Sequence, residues 1–138
     1  MFHSSRPSLF AARGLLAMAA LCAGSAALAQ VPPMQGEGAA RYACGGIGSD
    51  ESTAMRAAMK SHPLSLLFAR ADGAYLADVG VTIRDAKGAT ALQLTADGPV
   101  CLVDLPAGRY SIEATSEGRA QRRDVTLGGA PTTADFRF

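Results

Sequence analysis

The chain has 138 residues, enough for one domain, with thirteen basic and twelve acidic side chains and a formal net charge of +1. The one local cluster of basic residues, Arg119, Arg122 and Arg123, is flanked by Glu117 and Asp124. Because nucleic-acid binding depends on clustered Lys and Arg that neutralise phosphates, this composition argues against a nucleic-acid partner.

Residues 1–29 have the organisation of a secretory signal peptide. Arg6 and Arg13 form a basic start, residues 14–27 are apolar but short for a membrane span, and small residues at 27 and 29 form a cleavage motif. Lipid attachment at Cys22 is disfavoured because a leucine precedes it. We therefore expect cleavage near Ala29. The mature chain should lie in the periplasm or be secreted, with eleven basic and twelve acidic residues and no transmembrane segment.

The next stretch of chain carries no periodic pattern of apolar side chains. Residues 30–41 combine proline, glycine and small residues, which predicts a flexible leader. Residues 42–62 contain the glycine-rich sequence CGGIGS near their start, which predicts a loop that leads into a helix and packs with it on the rest of the domain.

One α-helix is predicted within residues 42–62. Ser49 or Asp50 can cap its N-terminus, and the helix ends at His62-Pro63, because a residue that precedes proline avoids the helical conformation. Met55 and Met59 share its apolar face. The helix is therefore expected to cover an open end or edge of the domain with these two methionines facing inward.

Residues 63–138 change to a two-residue periodicity of apolar side chains, which is typical of β-strands. Seven short runs of this kind are separated by turn residues. Within Val100–Ile112, two runs flank Pro106–Gly108 and predict a hairpin. The expected fold is all-β: a seven-stranded antiparallel β-sandwich preceded by one short α-helix.

The mature chain keeps two cysteines, Cys44 and Cys101. In an oxidising compartment an even pair in a small domain indicates a disulfide, and a bridge across this interval would contribute about 4 kcal/mol. Alternation places Cys101 on the same face as Val103 and Leu105, so its side chain should point inward. The alternative is a buried, unpaired Cys101 with Cys44 free.

The turn residues of this region also carry a family likeness. They resemble those of the carboxypeptidase regulatory-like domains at Asp85, Gly88, Thr95, Asp97, Gly98, Leu105, Pro106, Gly108 and Tyr110. The resemblance implies a prealbumin-like, transthyretin-type sandwich over residues 63–138 of an exported bacterial protein. It also implies an accessory or interaction module without catalytic residues, although a fold by itself does not determine function.

The sequence contains few residues that could support catalysis or bind a cofactor. The glycine loop lacks the lysine of a phosphate-binding loop and is followed by Asp50 and Glu51, which oppose an anion. Any Ser–His–acid or Cys–His arrangement in the mature chain would have to use His62. We therefore expect a protein that is not an enzyme and holds no cofactor.

Two functional hypotheses remain. The first is an exported interaction or structural module that binds an unknown envelope protein or surface ligand, with Tyr75, an aromatic residue in a loop, as the candidate contact. The alternative is a periplasmic soft-metal (copper) or redox-related protein. Its candidate ligands are thioether, thiol and imidazole side chains at Met34, Cys44, Met55, Met59 and His62. A methionine pair four residues apart on a helix more often fills a core, so no metal site is assigned.

Overall fold

A computed structural model describes residues 30–138, and the predicted signal peptide lies outside this part of the chain. Within it, nine strands and one α-helix form a sandwich-like, all-β fold. The elements are β1 (Gln35–Glu37), β2 (Ala40–Gly45), α1 (Ser49–Ala58) with a 3-10 turn (Met59–Ser61), β3 (Leu64–Ala69), β4 (Val79–Asp85), β5 (Thr90–Ala96), β6 (Val100–Asp104), β7 (Gly108–Ser116), β8 (Arg119–Leu127) and β9 (Thr132–Arg137).

The strands form two sheets among the described residues. One has five strands in the order β1-β2-β6-β3-β9, and the other has four in the order β5-β4-β7-β8. The seven predicted strands correspond to β3–β9, so the predicted number of strands was too low by two. The missing pair, β1 and β2, lies in the segments predicted as a flexible leader and a glycine-rich loop. The side chains of β1 are exposed throughout, so no alternation of apolar residues marks it in the sequence.

The prediction of a purely antiparallel sandwich was also wrong. Strand β9 pairs with β3 in parallel, with Leu64 opposite Thr132 and Ala69 opposite Arg137. The remaining strand pairs are antiparallel. Periodicity shows which side chains share a face of a strand but carries no information on the direction of its neighbour.

The predicted hairpin within Val100–Ile112 is a connection between the two sheets. Strand β6 lies at the centre of the five-stranded sheet, whereas β7 belongs to the four-stranded sheet. The Tyr110 hydroxyl donates a hydrogen bond to the Pro106 carbonyl, 2.7 Å away, which fixes the chain as it crosses. A tyrosine that bonds backbone a few residues upstream is a recurring device at sandwich corners.

Most of the core lies between the two sheets. It includes Leu66, Phe68, Ile83, Cys101 and Phe136, all essentially inaccessible to solvent. The Phe68 and Phe136 rings stack with their centroids 5.6 Å apart, across the parallel β3–β9 pair. Apolar burial of this extent is the main stabilising term for a small sandwich.

Helix α1 covers the outer face of the five-stranded sheet, not an end or edge as predicted. Met55 is fully buried against Val100 and Leu102, while Met59 is half-buried beside them. Val100 and Leu102 alternate with Cys101 and Val103, which face the main core. Strand β6 is therefore apolar on both faces, the pattern of a strand covered from both sides.

Among residues 30–138, no helix is both long and apolar enough to cross a membrane.

Candidate functional site

An open pocket of about 640 Å³ lies between the glycine loop, the start of α1 and the loop that joins β3 to β4. Its apolar lining includes Ile47, Tyr75, Leu76 and Pro99, and serine and threonine residues of α1 add hydroxyl groups to the lining. Within the described part of the chain, Ile47 and Tyr75 are the large hydrophobic residues that stay exposed, at 66% and 59%. Both line this one pocket, so the exposed apolar surface is concentrated there.

The glycine loop is held to the domain by close backbone approach. Gly46 and Gly48 have φ angles of 96° and 86°, in a region that residues with a Cβ rarely adopt. A Cβ on Gly98 would overlap the backbone of Gly45, so the glycine at position 98 lets the end of β2 and the β5–β6 turn meet. Pro99 and Gly46 thereby come to line the same pocket.

A disulfide strengthens this junction. Cys44 and Cys101 are joined across the directly paired strands β2 and β6, with their Cα atoms 4.1 Å apart. Cys101 is fully buried in the main core, as alternation predicted. The bridge lies one residue from Gly45 and one from Val100, so it anchors both segments that approach the pocket.

A backbone N–H group of the glycine loop is hydrogen-bonded to a carboxylate of the same domain. The Gly46 N–H donates a hydrogen bond to Glu51 Oε1 at 2.8 Å, and Glu51 lies in the first turn of α1, where a negative charge is favourable. The loop and helix N-terminus therefore already carry a negatively charged acceptor. This geometry agrees with the sequence features that opposed phosphate binding.

Tyr75 is held by helix α1 on the opposite side of the pocket. The Arg56 guanidinium donates to the Tyr75 hydroxyl at 3.1 Å, and its central carbon lies 5.6 Å from the ring centroid. Tyr75 also forms an isolated β-bridge with Ala69. These contacts orient an aromatic ring that remains mostly exposed, an arrangement suited to contact with a ligand.

The sequence identified Tyr75 but missed Ile47. The available signal was the isolated apolar residue between Gly46 and Gly48, because an isoleucine in a glycine turn has no strand or helix face to occupy.

The candidate soft-metal ligands are not brought together. Cys44 faces the main core and is bonded to Cys101, whereas Met55 and Met59 pack on the opposite face of the same sheet. His62 Nδ1 lies 2.7 Å from Asp104 Oδ1. Residues 30–138 contain no group of three or more His, Cys, Asp or Glu side chains placed to hold a metal ion. Met34, which immediately precedes β1, is half-buried.

Among residues 30–138, no hydroxyl or thiol group is hydrogen-bonded to the His62–Asp104 pair. Ser65 follows His62 by three residues, but this residue is only 1% exposed and its hydroxyl makes no hydrogen bond within the described chain. A nucleophilic serine needs a hydrogen bond to its base and access to substrate. The pair therefore ties the end of the helical segment to β6, and Ser65 cannot act with it in the arrangement described.

The site as a whole combines an apolar surface, an aromatic ring oriented by Arg56 and hydroxyl groups from α1. Such a site can recognise an apolar group. No protein-family model and no curated protein matches the chain.

Proposed function

We propose that the chain is an exported, non-enzymatic β-sandwich module that binds a partner protein of the cell envelope through the pocket between Ile47 and Tyr75. The observation that carries the proposal is the concentration of exposed apolar surface at this pocket. Exposed apolar groups cost solvation free energy, so their coincidence with a concave surface favours a binding role.

The chemistry of the pocket suits an apolar side chain presented by an extended segment of the partner. Ile47, Leu76 and Pro99 supply apolar contact, and Tyr75 supplies an aromatic face already positioned by Arg56. Because the ring is held before binding, less side-chain entropy is lost when the partner docks.

Several features support an envelope location and a binding role. The signal peptide predicted at residues 1–29 directs export, and the Cys44–Cys101 disulfide suits an oxidising compartment. The two-sheet architecture and the resemblance at Leu105–Tyr110 to carboxypeptidase regulatory-like domains favour a prealbumin-like module without catalytic residues. The soft-metal alternative is not adopted, because Cys44 and the two helix methionines lie on opposite faces of a sheet.

Site-specific photo-cross-linking in the native cell tests the proposal. An aromatic photoreactive amino acid replaces Tyr75, and the matched control carries it at Lys87, which is exposed in the β4–β5 turn. We expect a defined cross-linked species from position 75 and none from position 87. Adding Ile47→Ser should abolish the species, because it removes the apolar contact opposite the probe.

Two results would contradict this function. One is the same cross-linked species from position 87, which would indicate contact unrelated to the pocket. The other is an undiminished species in the Ile47→Ser chain, provided that circular dichroism shows the variant folded.

A further inference from the structure

The described chain contains the dipeptide Asp–Gly twice, in two very different environments. Asp72 and Gly73 lie in the β3–β4 loop and are both exposed, whereas Asp97 and Gly98 lie in the β5–β6 turn, where Gly98 is buried. The carboxyl carbon of an aspartate can be attacked by the backbone nitrogen of the next residue. Glycine leaves that nitrogen most accessible, because it has no side chain. The same reactive group is therefore present at two places that the fold treats differently.

The geometry around Gly73 leaves this reaction open. A Cβ placed on Gly73 would have no heavy atom within 4 Å apart from its chain neighbours, and its φ angle of 93° suits glycine. The Asp72 carboxylate accepts a hydrogen bond from the Ala74 N–H at Oδ1, 3.0 Å away. This turn folds the carboxyl group over the Gly73 peptide unit, so its Cγ is held on the side of the nitrogen that would attack it.

One hydrogen bond must open before the Gly73 nitrogen can react. Its N–H donates to the Arg70 carbonyl at 2.9 Å. Residues 70–75 are all exposed, so this bond belongs to a surface turn. Exposed loops of this kind open locally at little cost in free energy. We therefore expect the nitrogen to be released often while the rest of the domain stays folded.

The Gly98 peptide is held much more firmly. A Cβ on Gly98 would lie 2.8 Å from the Gly45 Cα, so the two backbones are in direct contact. Pro99, the next residue, is buried, and its carbonyl accepts a hydrogen bond from the Phe68 N–H at 2.9 Å. Rotation of the Gly98 nitrogen onto the carboxyl group of Asp97 would require this junction of β2, β3 and the turn to open.

We propose that Asp72 is a site of spontaneous isoaspartate formation in the folded protein, and that packing of Gly98 suppresses the same reaction at Asp97. The Gly73 nitrogen forms a bond to the Asp72 Cγ, and water leaves to give a five-membered succinimide. Water then opens the ring. Cleavage between the nitrogen and Cγ restores aspartate, whereas cleavage between the nitrogen and the backbone carbonyl carbon gives isoaspartate. One water is released and one consumed, so no co-reactant is needed.

Isoaspartate would alter the loop that carries Tyr75. The main chain gains one carbon at position 72, and the former backbone carboxyl group becomes a free carboxylate. The hydrogen bond from the Arg70 N–H to the Ala74 carbonyl, 2.7 Å long, spans the modified residue and would have to rearrange. The modification itself needs no partner, so it does not depend on the function proposed for the pocket.

Incubation of the folded, oxidised mature chain in water enriched in heavy oxygen tests the proposal. Each opening of a succinimide adds one heavy oxygen atom, even when aspartate is restored. After reduction, trypsin separates the two dipeptides, because Asp72 falls in the peptide of residues 71–84 and Asp97 in that of residues 88–109. Mass spectrometry with electron-transfer fragmentation locates the label and distinguishes isoaspartate from aspartate.

We expect at least about tenfold more label in peptide 71–84 than in peptide 88–109, the ratio produced by a difference of about 1.4 kcal/mol in local opening. In urea the unfolded chain should label both peptides to a similar extent, because the protection of Gly98 is lost. Asp72→Glu is the matched variant. It keeps the charge but would need a six-membered ring, which closes far more slowly, so peptide 71–84 should lose its label and peptide 88–109 should not change.

Three results would overturn the proposal. Equal labelling of the two peptides in the folded chain would show that packing at Gly98 gives no protection. Label that persists in peptide 71–84 of the Asp72→Glu chain would assign the reaction to Asp78, the other aspartate of that peptide. A folded chain without label in peptide 71–84, after the unfolded chain has become labelled there, would show that the turn protects Asp72.

Discussion

Removal of the Cys44–Cys101 disulfide is expected to cost a large part of the stability of this domain. The bridged residues are 57 positions apart, so the bond closes a loop of roughly sixty residues. In the chain-entropy description, a closed loop of that length stabilises the folded state by about 4 kcal/mol. Small domains have about 5–15 kcal/mol in total, so Cys44→Ala/Cys101→Ala should remain folded with a much smaller margin.

Urea unfolding, monitored by circular dichroism, measures this loss as a free energy of unfolding. The variant should also melt roughly 15–20 °C below the oxidised native chain, given the unfolding entropy of a domain of this size. Reduced native protein is the matched control. It lacks the cross-link but keeps both sulfur atoms in the core, so its difference from the double variant isolates the packing contribution of the two thiols.

The loop-closure reasoning would be refuted if oxidised and reduced native protein unfolded within about 1 kcal/mol of each other. That result would mean that the unfolded chain already holds β2 near β6, or that the bond constrains the folded state at a compensating cost.

Three other substitutions test separate features of the packing. Tyr110→Phe should lower stability by about 1 kcal/mol through loss of the hydrogen bond to Pro106. Burial, with a further contribution from Asp85, raises the pKa of Tyr110 above its usual 10.0. The neutral tyrosine should therefore contribute its full stabilisation of the folded state below pH 10. That stabilisation should be lost as the pH rises through the folded-state pKa. Urea midpoints on either side of pH 10 should show this loss in the native chain and not in the Phe variant. Met55→Ala should cost about 2–5 kcal/mol in the same urea assay, because it leaves a cavity between α1 and the sheet. Ser65→Ala should be neutral or stabilising, since it removes a buried hydroxyl without a partner among the described residues, and a clear loss of stability would show an unrecognised role for that hydroxyl.

Local periodicity was sufficient to predict most of the elements. Strands β4, β5, β7 and β9 alternate buried and more exposed side chains, whereas β3 and β6 are buried along most of their length. Helix α1 begins at Ser49, but the prediction that Ser49 or Asp50 caps it was wrong, because Gly48 is the N-cap and no side chain of the described residues caps the helix. The inward direction of Cys101 followed from the same alternation. These features depend on residues that are close in the sequence, and for that reason they could be recognised without a structure.

Features that depend on distant neighbours could not be predicted in this way. The LPAG turn resembles a hairpin locally, yet both edges of β6 are already paired, one with β2 and the other with β3. Strand β7 therefore cannot pair beside β6, and the chain crosses to the other sheet at Pro106. The parallel pairing of β9 with β3 has no local signal. In the candidate site, Tyr75 was recognisable as a loop aromatic, but its pocket forms only when residues near Gly46 meet those near Pro99.

The two sheets also differ in how far apart their paired strands lie along the chain, with a consequence for the order of folding. In the four-stranded sheet, β4–β5 and β7–β8 are pairs of consecutive strands, whereas the five-stranded sheet is completed by β2–β6, β3–β6 and β3–β9. Pairs of consecutive strands close short loops and form early, while distant pairs pay more chain entropy and form late. The disulfide joins β2 and β6 of the five-stranded sheet, which is the sheet expected to form later. Oxidation of Cys44 and Cys101 should therefore join β2 and β6 only after these strands have met, and until then both thiols remain open to other reactions.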